Sequence, residues 1–129
     1  MPAKFYLHEN KVGIELQLTG NVTGQEMISI NKEACKYLDC RFQIWNFLNA
    51  NTVNISAAEM HQIAIHDNSV SAYMKTEKVA LVGNKEVLEG VGEMYETFSN
   101  LWVGRPKQYV SRFFTSMKDA NEWVYLHDK

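Results

Sequence analysis

The sequence predicts an α/β domain built around a mixed, mostly parallel β-sheet with helices on its faces. Two alternating segments at the start have the two-residue period of a β-hairpin, and the remaining chain switches between strand and helix periods. Helix-capping pairs precede three of the helical stretches. Strands that alternate with helices pair in parallel through right-handed crossovers, whereas the hairpin makes the first strand antiparallel to the second. The predicted order is therefore ββαβαβαβα.

The hairpin and the first helix occupy the first third of the chain. Apolar residues alternate with polar ones from Phe5 to Leu18, apart from a short polar break, so each strand buries one face. Thr23 and Glu26 have the spacing of a capping box, in which each side chain accepts the other residue's amide hydrogen. The helix that begins there is expected to end near Leu38.

Two strands and a helix make up the middle of the chain. Residues Arg41–Leu48 are rich in aromatic and β-branched side chains and are predicted as the third strand. Ser56 and Glu59 form a second capping box at the start of a helix. The continuous apolar run Lys78–Gly83 is typical of a central parallel strand that is buried on both faces.

The last third of the chain predicts a helix, a strand and a closing helix. Apolar residues recur at helical spacing from Val87 to Trp102. Gln108–Phe114 is predicted as the last strand. Thr115 or Ser116 is predicted to cap the final helix, and Asp119, three residues after Ser116, suits a capping box.

Composition and charge limit the possible functions. The chain has 129 residues without a repeat or linker, so we expect residues 1–129 to form one domain. Its formal net charge of −2 gives no basic surface for nucleic acid. No segment has the length of a membrane span or the apolar core of a signal peptide, so we expect a cytoplasmic protein with Cys35 and Cys40 reduced.

No catalytic motif occurs in the chain. A nucleophile elbow, a P-loop and a dinucleotide-binding fingerprint are all missing. His61 and His66 are five residues apart on one helix and point to different sides, which does not fit the four-residue spacing of helical zinc ligands. We therefore expect no enzymatic activity, no metal and no cofactor.

The junction between the third strand and the second helix is the predicted recognition site. The polar segment Asn49–Asn54, predicted as a loop, lies between them. Open α/β sheets bind ligands and partners where strand carboxyl ends face helix N-termini, and loops on a rigid scaffold commonly carry binding. As an N-cap, Ser56 would stabilise the helix by about 1 kcal/mol, so a structural role alone accounts for this serine. The predicted partner-binding residues are Asn46 at the strand end, Asn49, Asn51, Thr52, Asn54 and Ser56.

Two further expectations concern association. Phe42 and Ile44 share one face of the third strand, so Trp45 points to the other face and is the aromatic residue that we expect to be exposed. An exposed aromatic patch marks an interface. A small aromatic-rich domain of near-neutral charge with an edge strand also predicts a homodimer.

The order of these motifs resembles the SpoIIAA-like group of the STAS (sulphate transporter and anti-sigma-factor antagonist) superfamily. The resemblance extends from about Phe5 to Trp123 and includes the strand end at Leu18 and the closing pattern F-x-x-x-x-x-A-x-x-W, which begins at Phe114. It implies a small mixed sheet flanked by helices. It also implies a non-enzymatic switch that binds a partner protein, in some members an anti-sigma factor.

The sequence departs from that group at the predicted site. In the antagonists, a serine in an Asp-Ser-x-Gly-like motif after the third strand is phosphorylated, and the stretch Asn51–Ser56 lacks this motif. Asn46 occupies the place where many members carry an aspartate near the strand end. The resemblance thus implies a regulatory protein-interaction module without the usual phosphorylatable serine. A carrier of a small apolar or lipid-like ligand, held between helices and sheet, is the alternative.

Overall fold

Five strands form one sheet, with helices between the parallel strands and after the last of them, in the part of the chain that the computed structural model describes. The described residues are 3–8, 12–37, 39–70, 75–89, 92 and 110–126. The strands are β1 (Ala3–Leu7), β2 (Gly13–Thr23), β3 (Phe42–Asn54), β4 (Lys78–Val82) and β5 (Val110–Phe114). The helices are α1 (Gly24–Ala34), α2 (Ala57–Val70), α3 (85–89) and α4 (Met117–Tyr125), and a short 3₁₀ turn, Cys35–Tyr37, follows α1.

The topology confirms the predicted mixed sheet. The strands lie side by side in chain order, with β1 antiparallel to β2 and all other neighbours parallel. β4 lies between β3 and β5, so the apolar run that begins at Lys78 is an interior strand, as expected. The hairpin turn at 9–11, residues 90, 91 and 93–102 of the helix predicted from Val87, and Gln108 and Tyr109 lie outside the described residues.

The sheet separates two layers of apolar side chains. On one face, β2 and β3 pack against α1 and α2, and on the other face β3 and β4 pack against α4. The first layer includes Ile14, Leu16, Leu18, Met27, Ile30, Trp45, Phe47, Met60 and Ile63. The second layer includes Phe42, Ile44, Ala80, Val82, Ala120, Trp123 and Val124. Burying each large apolar side chain contributes roughly 1.5–3 kcal/mol, so both faces of the sheet stabilise the fold.

The predicted exposure of Trp45 was wrong. Its side chain is only 8% exposed, and its indole Nε1 donates a hydrogen bond of 3.0 Å to Gln43 Oε1. Alternation along β3 does place Trp45 opposite Phe42 and Ile44, but helices cover both faces of this strand. For a strand in the interior of a parallel sheet, alternation therefore distinguishes two cores rather than core from solvent.

The predicted end of the third strand was also wrong, because β3 continues through Asn49–Asn54 instead of entering a loop. Its pairing with β2 steps from Gln17↔Asn46 to Thr19↔Asn49, and shifts again after Gly20↔Ala50. At each step β3 holds one residue more than β2, which is the count of a β-bulge. The bulges interrupt the two-residue period, so the continuing strand has the local pattern of a loop.

A buried lysine fixes the end of α4 to the sheet. Lys78 on β4 is 8% exposed, and its ammonium donates hydrogen bonds of 2.8 Å to the carbonyl oxygens of Trp123 and Leu126. The ammonium also lies 5.1 Å from the centre of the Trp123 ring. The last carbonyls of a helix have no partner within the helix, and a cation there is favoured by the helix dipole. Lys78 therefore satisfies α4 and positions it over the second apolar layer.

We predict that Lys78→Met lowers the free energy of unfolding by about 1–3 kcal/mol. The substitution removes the Lys78 donor from the Leu126 carbonyl oxygen and leaves the Trp123 carbonyl oxygen with the Leu126 amide alone. Lys75→Met is the matched control, since the Lys75 ammonium is exposed and lies 3.9 Å from the exposed carboxylate of Asp39. Its effect should stay within about 0.5 kcal/mol. Urea unfolding of both variants measures the difference, and equal losses would contradict the capping role.

Candidate functional site

β2 and β3 extend beyond the rest of the sheet as a two-stranded parallel ribbon. The pairing of β3 with β4 ends at Asn46↔Val82, whereas its pairing with β2 continues to Thr23↔Asn54. We call the segments Thr19–Thr23 and Asn49–Asn54 the ribbon. Its inner side chains, Val22, Ala50 and Val53, belong to or pack against the core beneath α1 and α2. Its exposed side chains are Thr19, Asn21, Thr23, Asn49, Asn51, Thr52 and Asn54.

The exposed side of the ribbon offers hydrogen-bonding groups without charge. Its side chains are amides and hydroxyls, and the chain has no Asp, Glu, Lys or Arg from Phe42 through Ala58. Thr52 Oγ1 donates to Asn21 Oδ1 at 2.9 Å, which links the two strands across the surface. Amides and hydroxyls both donate and accept hydrogen bonds, so this surface can act as donor or as acceptor toward a polar partner.

Asn46 does not join the other predicted site residues. It is 7% exposed and lies within β3 rather than at the strand end, which corrects its expected position. Its Oδ1 accepts a hydrogen bond of 2.9 Å from the Leu48 amide at the first bulge, and its Nδ2 donates to Glu15 Oε2 at 3.3 Å. Glu15 Oε2 also accepts a hydrogen bond of 2.7 Å from Gln17 Nε2. Asn46 thus satisfies a backbone group where the regular ladder is interrupted.

The remaining predicted residue, Ser56, lies where β3 leads into α2. Its Oγ accepts a hydrogen bond of 3.1 Å from the Glu59 amide, and its own amide donates to Glu59 Oε1 at 3.0 Å. Thr23 and Glu26 make the same reciprocal pair at the start of α1, at 3.0 and 3.2 Å. Two of the three predicted capping pairs are therefore reciprocal boxes, and at the third the Ser116 Oγ accepts a hydrogen bond of 3.2 Å from the Asp119 amide. The structure brings Ser56 together with Asn49, Asn51, Thr52 and Asn54 at one end of the sheet.

One carboxylate connects the two helix starts. Glu59 Oε2 accepts a hydrogen bond of 3.2 Å from Gln25 Nε2 on α1, while Oε1 serves the capping box of α2. The hydrogen bond from the backbone N–H of Ser56 lowers the pKa of the Glu59 carboxyl below its ordinary value. Partial burial opposes this effect, and hydrogen bonds with the Ser56 and Gln25 side chains lower the pKa further. Gly24 permits the approach, because a Cβ at this position would overlap the Glu59 carboxylate.

Sequence reasoning missed the contribution of β2 to this surface. Thr19, Asn21 and Thr23 lie beside β3 because the two strands pair in parallel beyond the sheet. A usable signal was present, since the segment Leu16–Gln25 also contains no charged residue. Two uncharged Asn/Thr segments that each precede a capping box suggest two neighbouring strand ends.

A separate open cavity of about 460 Å³ lies between α3, the end of β5 and the start of α4. Its lining mixes apolar and charged side chains: Lys85, Leu88, Glu89, Phe113, Phe114, Thr115 and Asp119. Within the described ranges, no three His, Cys, Asp or Glu side chains are grouped so that they could hold a metal ion. No helix of the described part of the chain has the length and apolar character to cross a membrane.

Comparison with solved structures identifies the fold. An uncharacterised protein of the DUF3478 family from Shewanella loihica PV-4, with a SpoIIAA-like fold, matches with a TM-score of 0.57 and 12% identity, covering 95% of this chain and 91% of its own. The anti-sigma factor antagonist SpoIIAA in its unphosphorylated form matches with a TM-score of 0.55 and 11% identity, covering 94% and 96%. The Bacillus cell fate determinant SpoIIAA in its phosphorylated form matches with a TM-score of 0.52 and 11% identity, covering 95% and 98%.

The chain therefore has a SpoIIAA-like fold, which confirms the fold that the resemblance implied. No family model matches the sequence, and no curated protein matches it. At 11–12% identity the likeness extends to the fold, and function must be argued from the site.

We predict that Gly24→Ala lowers the free energy of unfolding by about 1 kcal/mol, because the new methyl group displaces the Glu59 carboxylate from the Ser56 capping box. In a Glu59→Ala background the same substitution should cost nothing, since the carboxylate is gone and alanine favours a helix over glycine. Thermal unfolding of the four proteins in this cycle measures the coupling. Equal costs in both backgrounds would mean that Gly24 and Glu59 act independently.

Proposed function

We propose that this chain is a non-enzymatic protein-interaction module with a regulatory role, and that its partner binds the exposed side of the ribbon together with the start of α2. The observation that carries this proposal is the ribbon itself. Here a two-stranded extension places exposed Asn49, Asn51, Thr52 and Asn54 beside Asn21, beyond the last residue of β4. Loop and strand-end positions on a rigid scaffold commonly carry recognition.

Uncharged polar groups determine how such a surface would select its partner. An amide that loses water on binding must regain a hydrogen bond, because an unpaired buried polar group costs about 1–3 kcal/mol. A partner with matching donors and acceptors is therefore accepted, and one without them is rejected. The ribbon has no charged side chain to steer encounter from a distance, so specificity there comes from contact geometry.

The regulatory role is inferred from the fold. SpoIIAA, which has this fold, is described as an anti-sigma factor antagonist and has been solved in phosphorylated and unphosphorylated forms. In this chain Ser56 is engaged as an N-cap through both its hydroxyl and its amide. A phosphate on Ser56 would place negative charge beside the Glu59 carboxylate and oppose the capping box. We therefore propose a structural role for Ser56 and no phosphorylation there.

Two further features belong to the proposal. The module acts in the cytoplasm, consistent with the buried cysteine Cys40. It also self-associates as a homodimer, as the edge strand and the aromatic content predict.

The first experiment is purification of the tagged full chain under native conditions, followed by mass spectrometry of both the proteins and the extractable small molecules. A stoichiometric protein is the expected result, and its affinity is then measured with purified components. A stoichiometric apolar molecule without a protein would instead favour the alternative carrier function.

We predict that Asn51→Ala and Asn54→Ala each weaken partner affinity about tenfold, because each removes a side chain that pairs with the partner. Ser56→Ala should lower stability by about 1 kcal/mol and change affinity less than about twofold. Ser29→Ala on the exposed side of α1 is the control and should change neither quantity. Isothermal titration with thermal unfolding separates the two effects. Unchanged affinity in both asparagine variants would refute the ribbon as the binding surface.

We also predict that the affinity depends only weakly on salt, because the ribbon has no charged side chain and the one carboxylate in the first turn of α2, that of Glu59, is held in the capping box. Between about 50 and about 500 mM NaCl, the dissociation constant should change less than about threefold. A steep loss of affinity over this range would place the contact on a charged surface elsewhere.

A further inference from the structure

One carboxylate on the sheet is held in place by neutral groups only. Glu15 is half-buried in the middle of β2, and its Oε2 accepts hydrogen bonds from Gln17 Nε2 at 2.7 Å and from Asn46 Nδ2 at 3.3 Å. No ion pair among the described residues includes Glu15. Amide donors orient a carboxylate but do not neutralise it. A negative charge is therefore fixed at a defined position on the sheet.

The surroundings of Glu15 leave room for a partner. In the register Glu15 lies beside Ile44, on the face of the sheet where α4 packs over β3 and β4. The β1 residues on this face, Lys4 and Tyr6, are exposed. Tyr6 is the direct antiparallel partner of Glu15 and is 45% exposed. The Cβ atoms of such a pair are about 4.5–5.5 Å apart, so the carboxylate and the phenol ring leave the sheet side by side.

Glu15 also continues the row of β2 side chains that forms the ribbon surface. Along β2 the side chains of one face are buried, namely Ile14, Leu16, Leu18 and Val22. The accessible row on the other face is Glu15, Gln17, Thr19, Asn21 and Thr23. From Asn21 to Glu15 this row is about 20 Å long, at a rise of about 3.3 Å per residue. An extended partner segment on the ribbon would reach Glu15 by continuing for about six residues.

We propose that Glu15 and Tyr6 bind an arginine side chain of the protein partner. The carboxylate selects a cation, and Glu15 Oε1 accepts no hydrogen bond from the described residues, so it is available to a guanidinium N–H. The planar guanidinium can stack on the Tyr6 ring while it donates to the carboxylate. A lysine ammonium would pair with the charge but lacks the planar group that stacks.

This inference rests on the proposed function, because it assigns a chemical group to the partner of the ribbon. The cation that the chain itself has on this face, Lys4, lies opposite Gln17 and makes no ion pair with Glu15 in the described part of the chain. The site therefore keeps its charge until a partner arrives. A single half-buried ion pair is screened little by salt, so the weak salt dependence predicted above is unchanged.

The test uses N-acetyl-L-arginine methylamide as the probe and the corresponding citrulline compound, which has the same shape without the charge, as its control. Amide resonances of the full chain are followed at constant ionic strength. The arginine probe should shift Tyr6, Glu15 and Gln17 with a dissociation constant of about 10–30 mM. The citrulline compound and N-acetyl-L-lysine methylamide should each bind at least about fivefold more weakly.

Three variants connect the preference to the named side chains. Glu15→Gln keeps the shape of the side chain and should abolish the preference for arginine over citrulline. Glu86→Gln is the matched control, since Glu86 is exposed on α3, whose Leu88 belongs to the first apolar layer on the opposite face. Tyr6→Leu should weaken arginine binding about threefold, because the ring is lost. Circular dichroism and thermal unfolding establish that each variant is folded.

Equal binding of the arginine and citrulline probes overturns the inference, as do lysine binding as tight as that of arginine and a preference that survives Glu15→Gln. With the co-purified partner, Glu15→Gln should weaken affinity about fivefold or more, and Glu86→Gln should leave it unchanged. Asn51→Ala and Asn54→Ala separate the two proposals. Arginine-probe binding at Glu15 with no effect of either asparagine variant on the partner rejects the ribbon alone, and the reverse result rejects only the arginine site.

Discussion

The long parallel pairing of β2 with β3 is the constraint on which the rest of this structure depends. It runs from Gly13↔Phe42 to Thr23↔Asn54 and is more than twice as long as the pairing of β3 with β4. Because both strands end together, the two helices that follow them begin side by side. The same pairing places β3 in the interior of the sheet, where it contributes side chains to both apolar layers. The pairing of β2 with β3 therefore positions both the proposed recognition surface and the apolar core.

Electrostatic interactions at the two ends of the sheet follow the helix dipoles. At the carboxyl ends of the parallel strands, Glu59 accepts hydrogen bonds at the start of α2 and from Gln25 of α1. At the opposite end, the Lys78 ammonium lies beneath the last carbonyls of α4. An anion at helix starts and a cation at a helix end each stabilise the dipole that they face. Both groups are held by backbone atoms, so they fix the angle at which the helices leave or meet the sheet.

The features that were predictable from the sequence are those set by neighbours in the chain. The Thr23–Glu26 and Ser56–Glu59 boxes depend on a spacing of three residues, and the hairpin and the buried β4 depend on local period. The burial of Trp45 depends on helices that are distant in sequence. The ribbon residues of β3 lie together because they are consecutive, whereas their β2 neighbours become adjacent to them only through the parallel pairing. The uncharged composition of both segments was visible, and only the tertiary structure makes them one surface.

The two bulges of β3 also determine where the chain could change length during evolution. The core-facing residues of this segment are Phe47, Ala50, Val53 and Ile55, so the interval is three residues across each bulge and two elsewhere. Removing one residue within a bulge would restore strict alternation and leave every later side chain on its present face. Removing one from a regular stretch would reverse all the faces that follow. Alignments of related chains should therefore place their gaps between Phe47 and Ala50 or between Ala50 and Val53. Chains that share the same length in this strand would then share the same bulges.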